Sequence, residues 1–324
     1  MVSVLLTTYN DARYLPYSIK SILNQTYKTF EFIIIDDGSS DNSNKIIESF
    51  NDLRIRHIKI SHMGMGESLN YGLSIARYSW IARIDADDIA HPLRLEKQIN
   101  FLLENKDFLL VSSWYAMFSD SKILYMVDPP SDNLDIKKKL AIHSPICHPG
   151  TIFKKEIIAP EGFSNNPFGD YEMWLEIMDK CNFYIIPEIL TFVRYRRDSL
   201  SRKDIQKKHR LIYEIQKPYY YGDFKNHFGI NSKKCELETR GWREYFYGSK
   251  KDAFQFWLKL KIGLIVKPRI IFALITLLIP SKYFIQLKEL RIKFRLKYFF
   301  TYFLSNNRGS REVFNMLINS KPIK

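Results

Sequence analysis

Cysteine is scarce: the 324 residues include three, Cys147, Cys181 and Cys235. They are far apart and odd in number, and no C-x-x-C pair occurs. Neither a zinc site nor a disulfide framework is indicated, and a reducing cytoplasm fits best. Long apolar runs are missing too. The longest uncharged one, Ile270 to Ile279, is bounded by Lys267-Pro268-Arg269 and by Pro280. At 1.5 Å per helical residue it covers about 15 Å, half of a ~30 Å hydrocarbon core, which argues against a transmembrane span. The amino terminus has no basic stretch leading into an apolar one. Val2–Leu6 reads directly as a strand, so no signal peptide is expected. Phosphate-cradling glycine loops are absent as well. There is no G-x-x-x-x-G-K-[ST], and Gly64-Met65-Gly66 finds Leu69 where a third glycine belongs.

What is present is enough apolar matter for a sizeable core. Hydrophobic residues make up 46% and aromatics 15%, which excludes wholesale disorder. The length suits two domains. The formal net charge of +14 invites a nucleic-acid or anionic-membrane reading, yet it is unevenly placed. Residues 1–200 carry 22 basic and 26 acidic side chains, a balance of −4, whereas residues 201–324 carry 27 and 9, a balance of +18. We therefore expect a domain over 1–204 and a second, basic, aromatic-rich and mostly helical one over 205–324.

The first part alternates strand and helix. Val2–Leu6, Phe30–Ile35, Ile55–Ile60, Trp80–Ile84 and Phe108–Ser113 are rich in β-branched and aromatic residues and read as strands. Between them lie helical patterns over Pro16–Gln25, Asn42–Phe50, Met65–Arg77 and Pro92–Glu104. Such alternation implies a mainly parallel, Rossmann-like sheet with helices on both faces, which binds ligands beyond the carboxyl ends of its strands. Polar and acidic residues follow those ends: Thr7-Thr8-Tyr9-Asn10-Asp11, Asp36-Asp37-Gly38-Ser39-Ser40-Asp41 and Asp85-Ala86-Asp87-Asp88. Converging carboxylates repel unless a cation intervenes. Asp-x-Asp after a buried strand suits Mg2+ or Mn2+, whose octahedron is completed by phosphate oxygens and water. A nucleoside diphosphate held through a metal is the natural ligand.

These stretches, V-S-V-L-L-T-T-Y-N-D, F-E-F-I-I-I-D-D-G-S-S-D and I-A-R-I-D-A-D-D, resemble family 2 of the glycosyltransferases, with the GT-A fold. H-P-L-R-L-E-K-Q-I-N-F-L-L-E-N continues the match, and Gly169-Asp170-Tyr171-Glu172-Met173-Trp174-Leu175 is similar to the family's E-D-x-[DE]-x-W-L segment. The resemblance covers roughly residues 2–201 in order. It implies that Thr7, Tyr9 and Asp37 contact the nucleoside, with Tyr9 near the base and Asp37 hydrogen-bonded to it. Asp85 and Asp87 match the D-X-D pair and Asp88 the extra acid beside it; Asp85 is expected to contact the nucleotide at its ribose, and Asp87 and Asp88 to ligate the cation. Asp170 matches the general base and Arg194 an arginine of the closing Y-R-x-H-x-x-S-x-S segment, which here runs from Val193 to Ser201. Two departures stand out. Gly169 replaces the glutamate before the base, and Arg196 replaces the closing histidine. Arginine is no metal ligand but clamps a diphosphate bidentately.

The resemblance thus implies an inverting transfer of one sugar from a nucleoside diphosphate sugar, UDP on family grounds, to a hydroxyl of a saccharide or lipid-linked acceptor in surface polysaccharide synthesis. The Q-x-x-R-W segment of processive polymerases is absent. Blander readings stand beside it. Asp170 also fits an acid stabilising a helix amino terminus. His143 and His148, flanking Pro145, have poor spacing for metal, while His148-Pro149 resembles a family His-Pro near the acceptor. A sugar-phosphate nucleotidylyltransferase would need a glycine-rich loop with a basic residue after the first strand, which Thr7–Asp11 is not; a non-catalytic nucleotide-sugar scaffold remains the other alternative. In the basic part, Leu287, Leu290 and Phe294 share one helical face and Lys288, Arg291 and Arg295 another. That pattern suits either interfacial binding to an anionic membrane or a solvated helical bundle, and gives nucleic acid no purpose. The expected location is cytoplasmic, peripheral on the inner face of the cell membrane.

Overall fold

The computed structural model of the chain describes residues 1–120, 122–158, 160–196, 205–221, 223–260 and 270. They fall into two compact units. The first lies within residues 1–136 and 144–196, the second within 137–143 and from 205 onward.

The first unit opens with the expected alternation: β1 (Val2–Thr8), α1 (Leu15–Leu23), β2 (Phe30–Asp36), α2 (Ser43–Glu48), β3 (Ile55–Lys59), α3 (Met65–Ile75) and β4 (Trp80–Arg83). A two-residue β5 (Ile89–Ala90), α4 (Arg94–Glu104), β6 (Phe108–Ser119), β7 (Lys122–Val127) and α5 (Asn133–Leu140) follow. Then come a 3₁₀ turn at His148–Gly150, β8 (Ile152–Lys154), α6 (Gly169–Ile177) and β9 (Asn182–Arg194). The nine strands form one sheet in the order β3-β2-β1-β4-β8-β6-β9-β5, with β7 beside β6. Six of them share one direction, while β5, β7 and β8 oppose it. β8 lies antiparallel between β4 and β6, and β7 returns from β6 as a hairpin, neither requiring a crossover helix. β9 skips register between Ile186 and Ile189 against β6, where exposed Pro187 offers no N–H to the ladder.

Strand alternation puts α1, α2 and α4 on one face and α3 on the other. Val2, Val4 and Leu6 pack with Leu15, Ile19, Ile22, Ile47, Leu95 and Ile99 in one core. Leu5 points the other way, and a Cβ on Gly72 of α3 would sit 2.3 Å from its Cδ1. The carboxyl ends of β1, β2, β4 and β9 consequently share one edge of the sheet.

Among the described residues the second unit comprises the last turn of α5 with residues 141–143 and the helices α7 (Ile205–Tyr221), α8 (Phe224–Phe228), α9 (Lys233–Tyr247) and α10 (Lys250–Leu258). The buried Arg243 guanidinium lies 3.8 Å from the Tyr213 ring centre and 4.1 Å from that of Tyr220. Tyr220 donates its hydroxyl to the Ala141 carbonyl. Most aromatics here pack rather than offer faces, although Tyr221 is 74% exposed. Among the described residues no helix is long and apolar enough to cross a membrane. The basic amphipathic helix expected over 287–297, the aromatic run 298–303 and all of 270–279 except Ile270 lie outside the described residues.

Candidate active site

The loops after β1 and β2 are tied together. Asp37 N–H donates to the Thr8 carbonyl at 2.9 Å, and Asn10, in the left-handed region at φ 56°, accepts at Oδ1 from Ser40 N–H at 2.8 Å. Thr7 is partly buried and Tyr9 is 46% exposed. The Tyr9 ring stacks on His62, centroids 4.1 Å apart and planes 22° from parallel. Asp37 is buried beneath them. Its Oδ1 accepts from Met63 N–H at 2.8 Å, its Oδ2 from Gly64 N–H at 3.0 Å, and His62 Nδ1 lies 2.9 Å from Oδ2. The carboxylate expected to meet a base thus also shapes the turn leading into α3. Gly64 needs its φ of 97° there.

Asp85, Asp87 and Asp88 follow β4, and three arginines serve them. Arg83 is fully buried and donates to Asp85 Oδ1 at 2.5 Å. Arg194, at the end of β9, donates Nε–H to the Asp87 carbonyl at 2.9 Å, its guanidinium packed on Tyr14 and Phe118 at 4.6 and 4.4 Å. Arg196 reaches Asp11 Oδ1 at 2.6 Å and Asp87 Oδ2 at 3.4 Å. Burial, then the charges of Asp85 and Asp11, push Asp87 up to about 6 against the pull of Arg196 and Arg194. Asp88 is 2% exposed and accepts from Arg194 N–H at 2.8 Å, fastening the acidic loop to β9. Its carboxyl is pushed well above the usual range by burial and then by Asp87 and Asp85.

Asp170 stands in the first turn of α6, partly buried. Burial raises it to about 6, Asp85 adds to the shift, and the Tyr171 N–H and Arg83 oppose it. That is the range of a general base working near neutrality. Gly169 has a steric cause: a Cβ there would lie 2.4 Å from the Ser164 carbonyl oxygen. The glutamate that the resemblance places before the base has no room in this backbone. His148 is buried and accepts from Arg83 Nε–H at 3.0 Å, so its environment is internal. His143 is pushed down to about 4 by burial, then by Lys139.

Crowded, partly desolvated carboxylates are what a divalent cation relieves, so Asp85 and Asp87 fit Mg2+ or Mn2+. Among the described residues no three His, Cys, Asp or Glu side chains gather to hold a metal by themselves. A cation on this loop therefore calls for ligand oxygens from a diphosphate. Three residues to which the sequence reading gave no role complete the arrangement. His62 precedes Gly64, in a stretch read only for glycine spacing; Asp11 closes the first loop; Arg83 sits within a strand otherwise read as apolar.

The pattern of glycosyl transferase family 2 matches residues 3–159. An uncharacterized glycosyltransferase of Methanocaldococcus jannaschii is 36% identical over 261 residues, 76% of this chain and 86% of that protein. The chain belongs to glycosyltransferase family 2. This glycosyltransferase is also 32% identical, over 68% of its length and 82% of the other's, to the Escherichia coli UDP-Gal:alpha-D-GlcNAc-diphosphoundecaprenol beta-1,3-galactosyltransferase. Its fold is that of Staphylococcus aureus TarS 1–349, solved with UDP-GlcNAc (TM-score 0.59, 18% identity, 84% of this chain and 79% of TarS). It is likewise shared with a Pyrobaculum calidifontis mannosyltransferase solved with GDP-Man and Mn2+ (TM-score 0.56, 15% identity, 98% and 85% covered). The glycosyltransferase is thus a GT-A enzyme that transfers sugar from a nucleotide sugar. Asp170, Arg194 and Arg196 lie beyond the matched stretch, so their place rests on the geometry above.

Proposed function

We propose that this enzyme transfers one sugar, with inversion, from a UDP-sugar to a hydroxyl of a saccharide or lipid-linked acceptor in surface polysaccharide synthesis. The observation that carries the reading is the buried Arg83, paired with Asp85 of the acidic loop at 2.5 Å and bonded to His148, whose ring packs on Trp174 of α6, the helix that carries Asp170 in its first turn. The β4 loop presents Asp85 and Asp87, and Asp170 feels both Asp85 and Arg83. Tyr9, 46% exposed, has one ring face stacked on His62 and leaves the other for the base, with Asp37 buried beneath the pair. Mg2+ or Mn2+ on Asp87, shared with Asp85, would neutralise charge on the departing diphosphate. Asp88 keeps that loop on β9, and Arg194 and Arg196 add positive charge beside it. Asp170, ionised above pH 6, removes the proton of the attacking hydroxyl, which approaches the face opposite the diphosphate and so inverts the anomeric carbon.

The related galactosyltransferase, which acts on a diphosphoundecaprenol-linked sugar with UDP-Gal, supports both the donor and the acceptor class. Such an acceptor lies at a membrane, and the +18 balance of residues 201–324 fits a peripheral place on an anionic, cytoplasmic face. The test is a panel of UDP-, GDP- and dTDP-sugars with Mn2+ and a polyprenyl-diphosphate-linked N-acetylhexosamine, with product linkage read by NMR. One added sugar of inverted configuration is expected. A retained configuration or transfer only from a GDP-sugar would overturn the corresponding part.

A further inference from the structure

The last arginine of β4 has an unusual position. A residue at the end of a buried parallel strand is ordinarily apolar. Arg83 is instead wholly buried, and burying a guanidinium is costly unless its N–H groups are matched. Here they are matched by four acceptors from three pieces of the fold. Nη1 donates to the Leu5 carbonyl of β1 at 2.8 Å and the Ile84 carbonyl at 3.0 Å. Nη2 donates to Asp85 Oδ1 at 2.5 Å, and Nε to His148 Nε2 at 3.0 Å. We propose that Arg83 is a positioning residue for both halves of the site: its fork fixes the Asp85 carboxylate and brings positive charge to Asp170, and His148 fixes the plane of that fork.

The role of His148 follows from its surroundings. To accept from Nε–H its imidazole must be neutral with the proton on Nδ1, and burial and the neighbouring Arg83 both hold it in that form. Its turn is held by Thr151 Oγ1, which donates to the His148 carbonyl at 2.8 Å. The ring then packs at 5.6 Å against Trp174 of α6, the helix whose first turn carries Asp170, and edge-on at 5.5 Å against Phe163. A displacement of α6 is therefore felt at His148, at the Arg83 plane and at Asp85. Asp85 itself keeps 35% of its side chain open while its partner is sealed. Held by a cation from behind, it faces the donor from a fixed position. Lysine cannot replace such a fork, since one ammonium lacks the planar spread of donors.

The inference rests on the glycosyl-transfer reading, and the test separates the two. Mn2+ binding in the presence of UDP is measured by the electron paramagnetic resonance of free Mn2+, on the full chain, for the parent and for Arg83→Lys, His148→Phe and His148→Gln. His148→Phe keeps the ring packing and removes the acceptor; His148→Gln keeps an acceptor oxygen. Arg83→Lys and His148→Phe are expected to weaken Mn2+–UDP binding by roughly 10–100-fold, the usual effect of losing an outer-shell partner. His148→Gln is expected to stay close to the parent. In Arg83→Gln, where the charge itself goes, the acid limb of kcat moves to higher pH, a change that a mere stitch between strands would not produce. A folded His148→Phe protein, judged by circular dichroism, that binds Mn2+–UDP as tightly as a binding parent overturns this inference alone. A parent that binds no Mn2+–UDP overturns both.

Discussion

Arg196 bridges two loops: one nitrogen lies 2.6 Å from Asp11 after β1 and 3.4 Å from Asp87 after β4. Where the resemblance has histidine, a permanent cation holds together carboxylates that otherwise repel. Without it Asp87 would ionise less readily than its present value of about 6 allows. Arg196→Gln is therefore expected to lose about threefold in Mn2+–UDP affinity at pH 6.5, since a rise of about one unit in pKa takes the ionised fraction from about three quarters to about one quarter. The affinity should largely return at pH 8. Titrations at both pH values check this.

Asp170 sets a second pH dependence. A carboxylate that must be ionised to act, with its pKa pushed up to about 6, makes kcat rise with pH through about 6 and then level. Asp170→Asn is expected to lower kcat by roughly 10²–10⁴-fold with donor binding nearly intact. Single-turnover assays and UDP-sugar titration separate the two effects.

The same shift bears on stability. The folded carboxyl holds its proton up to about 6, whereas the unfolded one releases it near 3.8. Protonation therefore favours the folded state, and that contribution is fully present below pH 3.8 and lost as pH rises through 6. Asp170→Asn, which carries no charge to desolvate, is expected to be more stable than the parent at pH 7.5. The gain is on the order of 1–3 kcal/mol, reduced where solvent reaches the half-buried group. Metal-free thermal melts at pH 5 and pH 7.5 show it as a difference about twice as large at the higher pH.

Restoring the family's glutamate tests the steric account of Gly169. Gly169→Ala already drives a Cβ into the Ser164 carbonyl, 2.4 Å away, and Gly169→Glu adds charge near Asp170. Both are expected to destabilise by about 1–3 kcal/mol, the usual cost of overpacking, and neither should raise kcat. Denaturant melts with unchanged m-values would support this.

Tyr9 supplies a ring rather than a hydroxyl. Tyr9→Ala is expected to weaken UDP binding about 5- to 150-fold, from a stacking contribution of about 1–3 kcal/mol, while Tyr9→Phe stays near the parent. Calorimetric titration with UDP and Mn2+ distinguishes them.

Much of this was legible in the sequence because it rests on local rules. The first four strands and the helices between them are periodic and bounded by polar turns, and Asp85 and Asp87 stand at an end that such a sheet exposes, whereas Asp170, in the first turn of α6, was reached through the resemblance of its segment. What was not legible depends on distant partners. β5 and β8 are too short to announce themselves and exist through pairing with β9, β4 and β6. β9 is interrupted by Pro187, which argues against a strand until its edge exposure is known. Arg83 reads as an intruder in an apolar run until Leu5 and His148, remote in sequence, are seen to receive its N–H groups. The Arg196–Asp11 pair spans 185 positions, and no spacing rule reaches that far.

The tie between Asp88 and Arg194 also bears on how the enzyme is born. β5 pairs with β9, and the acidic loop just before it is fastened to the far end of the same strand, 106 positions later. While a ribosome has released only the first 159 residues, the D-X-D carboxylates exist but the strand that anchors their loop does not. A chain that stops short of residues 182–194 carries the D-X-D carboxylates on a loop without its fastening to β9.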